Sequence, residues 1–125
     1  MSELLHRFEC GDIDPRTFDH RAHIEAAVAL LQAAPFMEAV DRYVRGIKAL
    51  AAAAGAPHKF NMTVTIAFLS IIAERLEAAP SLDPASFVSS NPDLLAPDFL
   101  MRWYEPSRLH SPMARRQFVM PRLTA

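Results

Sequence analysis

Apolar residues recur every three to four positions along three long stretches of the chain, and prolines punctuate the gaps between them. From Phe18 to about Ala34, the residues Ile24, Ala27, Leu30, Leu31 and Ala34 fall on one side, with Arg21, Glu25 and Gln32 opposite. That period predicts an amphipathic helix. Thr17 stands where an N-cap is expected, and Pro35 closes this helix and opens the next. A second stripe, from Phe36 to about Ala53, runs through Val40, Tyr43, Val44, Ile47 and Leu50. Its outer face carries Glu38–Arg42 and Asp41–Arg45, opposite charges four apart in the favourable order. Gly55 and Pro57 break the pattern. The third stretch, from Phe60 or Asn61 to Ala79, is apolar over most of its circumference, with a narrow polar strip at Thr63, Ser70, Glu74 and Glu77. A helix oily nearly all round is usually central.

Beyond Pro80 the elements shorten. Asp83–Pro84 and Ser111–Pro112 read as N-caps followed by first-turn prolines, "NPDLLAP" as a turn-rich connection, and "DFLMRWYE" as one or two helical turns. No element is assigned to the N-terminal segment, residues 1–16. The pattern therefore predicts one all-α domain over residues 1–125. Three main helices over residues 17–80 form a small antiparallel bundle, and short helical segments over residues 81–125 cover its open side. A chain of 125 residues is long enough to bury one such core.

Against this background the polar residues on apolar faces stand out. On a helical wheel His20 and His23 project about 60° apart, on the same side as Ile24, Ala27 and Leu30. Two imidazoles buried without partners cost on the order of a few kcal/mol, so something must satisfy them. Asn61 and Thr65, one turn apart at the start of the third helix, share the side of Phe68 and Ile72. If the first and third helices pack together, these four residues gather into one pocket, with the Tyr43 phenol on a third side.

Three chemistries compete for this cluster. A divalent transition metal could be held by His20 and His23, since imidazole suits zinc, copper, iron or nickel. This reading is not favoured, because the third protein ligand is missing: Asn61 is a weak ligand, and Glu74 lies more than ~15 Å further along the helix. An organic ligand is the second option, with His20 or His23 as general base and Asn61 as the orienting amide. Tyr43, Thr65 and Phe68 would then line the pocket, and Arg75 would close its far end as an anion-binding group. The third option is a purely structural network, in which the histidines bond within the core and Asn61 serves as the N-cap of the third helix.

Other chemistry-bearing residues carry less. His58 lies in a loop near the same end, Trp103 and Tyr104 are spaced like a cover over the core, and Cys10 lacks an activating neighbour. The single cysteine excludes an internal disulfide, and no apolar run is long enough to span a bilayer. A cytoplasmic location is expected. Net charge is −1, which gives nucleic acid or an anionic membrane no general attraction. The charge is uneven: residues 97–125 carry five arginines against Asp98 and Glu105, which suits a contact surface.

The marks "FDHRAH", "KFNMTVTIAFLSIIAERL", "NPDLL" and "RWYEPSRLHSPMARRQFVMP" together resemble an uncharacterised family of small bacterial helical proteins, over about residues 17–121. The first family motif, F-x-H-R-x-H, is met by Phe18, His20, Arg21 and His23. In the second, Phe60 and Asn61 stand where tyrosine and histidine are usual. The closing A-R-x-x-F-V-x-P is met by Ala114, Arg115, Phe118, Val119 and Pro121, with Arg122 in place of the usual aspartate. A third imidazole at position 61 would have completed a three-histidine metal site, and Asn61 removes it. The resemblance implies no reaction. The expectation is a small enzyme or ligand-binding protein acting on a small organic molecule around His20 and His23. The alternative is a non-catalytic helical protein that forms a homo-oligomer or binds a partner through its Arg-rich C-terminal part.

Overall fold

The computed structural model describes residues 3–122, and no strand occurs among them. Among the described residues seven helices follow one another: α1 (Glu3–Cys10), α2 (His20–Ala33), α3 (Phe36–Ala53), α4 (Met62–Ala78), α5 (Pro84–Ser90), α6 (Pro106–Leu109) and α7 (Pro112–Arg116). Three short 3₁₀ turns lie between them, at Pro57–Lys59, Pro92–Leu95 and Phe99–Arg102. The chain is thus all-helical. Among the described residues no helix is long and apolar enough to cross a membrane.

Local chemistry explains most boundaries. Asp83 and Ser111 cap α5 and α7 by accepting from the backbone N–H groups of Ser86 and Ala114, each followed by the expected proline. Asn61 caps α4 in the same way, its Oδ1 accepting from the Val64 amide at 3.0 Å. At α2 the expectation needs correction. Thr17 is not the cap, because its hydroxyl donates to the Asp14 carbonyl at 2.9 Å and holds a preceding turn. Asp19 caps instead, accepting from the Ala22 amide at 2.9 Å. The helix therefore starts at His20, two residues later than the periodicity suggests, and Phe18 enters the core ahead of it.

The N-terminal segment also departs from expectation. It contains α1, whose Leu5 and Phe8 are buried. The Phe8 ring stacks on Phe18 at 5.6 Å between centroids and meets Tyr43 at 5.5 Å. It lies directly against Gly46 of α3, where a Cβ would clash with ring atoms Cζ and Cε2. Arg42 of α3 reaches across to Glu9, Nε to Oε2 at 2.7 Å, while keeping the expected Glu38 as a second partner at 3.3 Å.

Helix α2 packs against α1, α3, α4 and α5, and α7 lies on α4. That last contact covers the start of the polar strip at Thr63, while Glu74 and Glu77 further along are exposed. Thr63 is fully buried, donating to the Gln117 carbonyl at 2.8 Å and accepting from the Val119 amide at 3.1 Å. Tyr104 secures the same segment by donating to the Val119 carbonyl at 2.8 Å. Near the far end of α4, Arg75 makes a two-pronged pair with Asp93, both contacts at 2.8 Å. That guanidinium holds the Asp93 carboxyl down at about 2. Fork-to-carboxylate bonding of this kind fixes the turn at 92–95 against α4.

Candidate ligand-binding site

A cavity of about 200 Å³ lies among α2, α3, α4 and the connection before α4. His20 and His23 reach it from α2, Tyr43 and Ile47 from α3, and Asn61, Val64, Thr65 and Phe68 from α4. The structure thus brings together every residue expected at the pocket except Arg75. Arg75 does not line the cavity; its guanidinium is engaged by Asn91 and Asp93 at the turn at 92–95 instead.

His23 is the most defined group in the site. Its Nδ1–H donates to the Asp19 carbonyl at 2.8 Å, an oxygen that also accepts the His23 backbone N–H at 3.0 Å. A carbonyl can only accept, so the neutral ring carries its proton on Nδ1 and a lone pair on Nε2. Among the described residues no protein group bonds Nε2, and no buried side-chain nitrogen or oxygen is left without a partner. Nε2 therefore reaches accessible space, and the ring borders the cavity. Phe18 packs on the ring with centroids 4.6 Å apart and fixes its plane. Burial pushes the imidazole pKa down, with the bond to Asp19 opposing it in part. His23 thus meets neutral pH as an uncharged acceptor.

The second histidine behaves differently. His20 is exposed and stands at the rim rather than inside the core, which corrects the view of the two rings as equally inward. Its Nε2–H donates to the Leu94 carbonyl at 2.9 Å, and the ring meets Phe68 edge-on at 5.4 Å. Each imidazole is therefore anchored to backbone through one nitrogen. The two anchoring nitrogens differ, Nδ1 in His23 and Nε2 in His20.

The remaining polar wall groups are already engaged. Tyr43 is buried, and its hydroxyl donates to the His23 carbonyl at 3.2 Å; burial pushes the phenol pKa well up, so it stays protonated. Thr65 donates back to the Asn61 carbonyl at 2.8 Å. The Asn61 amide caps α4 with its oxygen and donates to the Leu109 carbonyl at 2.8 Å with its nitrogen. Asn61 is thus a wall and a cap at once, which unites two readings of the sequence that seemed exclusive. Lys59, not singled out from the sequence, also lines the cavity. Nothing in "PHKF" distinguishes it from a solvated loop lysine until the turn at Pro57–Lys59 is seen.

The other candidates lie elsewhere. His58 is exposed and offers its carbonyl to Arg115 at 2.8 Å. Trp103 packs edge-on to Phe99 over the core. Cys10 is exposed, with His6 one turn away on α1. Among the described residues no three His, Cys, Asp or Glu side chains converge as a metal-binding group. The donor set around His20 and His23 contains no carboxylate or thiolate, and structural and catalytic metal sites usually supply three or more protein ligands.

The lowered His23 pKa has a consequence for stability. The unfolded chain binds a proton at the ordinary imidazole value of about 6.5, while the folded chain resists until lower pH. Stability is therefore full above that value and falls as pH drops through the window down to the folded pKa. In urea melts, the wild type is expected to lose stability as pH falls below about 6.5, and His23→Gln to flatten that loss. An unchanged acid slope would contradict the assignment.

Comparisons of the chain with protein-family models, with curated proteins and with solved structures returned no match. The site's chemistry accordingly rests on its own geometry.

Proposed function

We propose that this protein binds a small organic molecule in the cavity at His23, between α2, α3 and α4 of an antiparallel bundle. The observation that carries the reading is the unbonded Nε2 of His23, which reaches accessible space beside a mostly apolar recess. Apolar walls with a few placed polar groups are the usual make-up of a small-molecule site. The neutral ring accepts a hydrogen bond from a ligand hydroxyl, amide or acid. Where the bound molecule carries a removable proton, the same lone pair is the general base. His20 stands at the rim, and Tyr43 holds the His23 turn in place. No group in the recess has the geometry of an activated nucleophile, so binding with or without proton transfer is the chemistry the walls support.

Backbone and imidazole NMR spectra recorded with a library of small organic fragments test this. Binders are expected to shift His23, Ile47 and Val64 together. Val64 is half-buried on the cavity wall, and Val64→Trp is expected to abolish those shifts while the helical signature persists. A library without a binder at these residues would overturn the reading. A second reading, a partner-binding protein, is favoured by the exposed apolar side chains of Trp103, Phe118 and Met120 around a separate recess. Shifts confined to those three residues would support it instead.

A further inference from the structure

Hydrogen bonding in the cavity at His23 is one-sided. The Tyr43 hydroxyl spends its hydrogen on the His23 carbonyl at 3.2 Å, and the Thr65 hydroxyl spends its own on the Asn61 carbonyl at 2.8 Å. Each oxygen keeps lone pairs and has no proton left to give. The neutral His20 ring donates its Nε2–H to the Leu94 carbonyl at 2.9 Å, which leaves Nδ1 as an acceptor. His23 donates from Nδ1 and keeps an accessible lone pair on Nε2. Asn61 bonds the Leu109 carbonyl with one amide hydrogen and holds one more. The neutral polar side chains of the wall therefore present mainly lone pairs to a guest.

That pattern selects the charge and the polar group of the ligand. A carboxylate brings only lone pairs, which face those of His23, Tyr43 and Thr65. A cation finds no counter-charge, because no Asp or Glu lines the cavity. A neutral molecule with an O–H supplies the proton that Nε2 lacks. The walls select its body. The rings of His20, Tyr43, Phe60 and Phe68 line the cavity beside His23, and aromatic walls favour another ring through offset and edge-on contacts beyond the area buried. The volume of about 200 Å³ compares with the ~150 Å³ of an apolar cavity that takes up one benzene. It holds a single ring with a short substituent. A phenolic O–H, with an ordinary pKa of about 10, stays protonated at neutral pH and donates more strongly than an aliphatic alcohol.

We infer that the ligand is a neutral single-ring phenol, which places its ring in this cavity and donates its O–H to Nε2 of His23. This rests on the ligand-binding reading above and adds the class of molecule. Phe18, packed on the His23 ring at 4.6 Å between centroids, holds the accepting imidazole in plane. The bond from Nδ1–H to the Asp19 carbonyl keeps the lone pair on Nε2.

The test titrates phenol, its methyl ether anisole, cyclohexanol, benzoate and benzylammonium into the full chain, followed by calorimetry and by backbone and imidazole ¹⁵N spectra. Phenol is expected to bind roughly tenfold tighter than anisole, the equivalent of about 1.4 kcal/mol. It is also expected to shift the Nε2 resonance of His23 much further than anisole does. His23→Leu is expected to bring phenol down to the level of anisole; should that variant fail to fold, the wild-type ratio and the Nε2 shift decide. Cyclohexanol, benzoate and benzylammonium are each expected to bind at least about fivefold more weakly than phenol. Anisole matching phenol at His23 would overturn the inference and leave the ligand-binding reading standing. Benzoate or benzylammonium binding ahead of phenol would overturn the assignment of a neutral ligand, and cyclohexanol level with phenol that of an aromatic one. Failure of all five compounds and of every fragment to perturb His23 would overturn both the inference and the reading beneath it.

Discussion

Phe8→Ala is expected to destabilise the fold by about 3–5 kcal/mol, the usual cost of truncating a fully buried phenylalanine. The ring is 2 % exposed and is gripped by Phe18, Tyr43 and the bare backbone of Gly46. Its loss leaves a hole that α3 cannot close, because Gly46 offers no side chain to move into it. The reciprocal change acts through the same contact. Gly46→Ala places a methyl group where the ring now lies and forces α1 outward. Overpacking of this kind costs about 1–3 kcal/mol, offset by about 1 kcal/mol of helix propensity gained when alanine replaces glycine. In the Phe8→Ala background the clash is gone and only the propensity gain remains. Gly46→Ala is therefore expected to change sign there, from destabilising to stabilising. Urea melts of the two single variants and the double variant read this coupling directly. Additive effects would show that α1 does not dock on α3 as described.

The second large effect is expected at Thr63. Thr63→Val keeps the shape of the side chain and removes both bonds of its hydroxyl, to the Gln117 carbonyl and from the Val119 amide. Val119 is buried, so its N–H is left without a partner and without water. An orphaned buried donor costs about 1–3 kcal/mol, and the more exposed carbonyl adds less, giving roughly 2–4 kcal/mol together. Thr63→Ser keeps the hydroxyl and is expected to recover most of the loss. Hydrogen exchange supplies the local signature: the Val119 amide should lose protection in Thr63→Val before the amides of α2 do. Retained protection at Val119 would contradict the role given to Thr63.

These two positions also mark where the sequence could and could not be read. The long helices were legible because each repeats its apolar stripe over three or more turns, so that Ile24, Leu30, Val40, Leu69 and Ile72 point inward by period alone. Helix α1 has barely two turns. Leu5 and Phe8 are too short a pattern to stand above the polar background of "MSELLHRFECGD", and Gly46 signals a docked ring only once that ring is seen. The burial of Thr63 is not legible in the polar strip, because periodicity reports which residues share a face, not what comes to cover it. The cover is the segment around Gln117 and Val119, more than fifty positions away, and no local pattern encodes that pairing. The same reasoning applies at Arg75, whose partner Asp93 lies across a turn that periodicity does not place.

At the candidate site, the gathering of His20, His23, Asn61, Thr65 and Tyr43 followed from faces and helix ends. The distinct states of the two imidazoles did not. They depend on which carbonyl each ring meets, Asp19 for one and Leu94 for the other. The first of these exists because the cap of α2 is Asp19 rather than Thr17. A shift of two residues in a helix start thus sets which nitrogen His23 presents, and with it the chemistry available in the cavity.

His23 presents an unprotonated Nε2 to accessible space at neutral pH. Long-range ¹H–¹⁵N correlation of the imidazole rings in uniformly labelled protein tests it without any ligand. His23 at pH 7 is expected to be the neutral form with its proton on Nδ1, titrating below the ordinary imidazole value. A ring protonated on Nε2 at pH 7, or one titrating above that value, would contradict it.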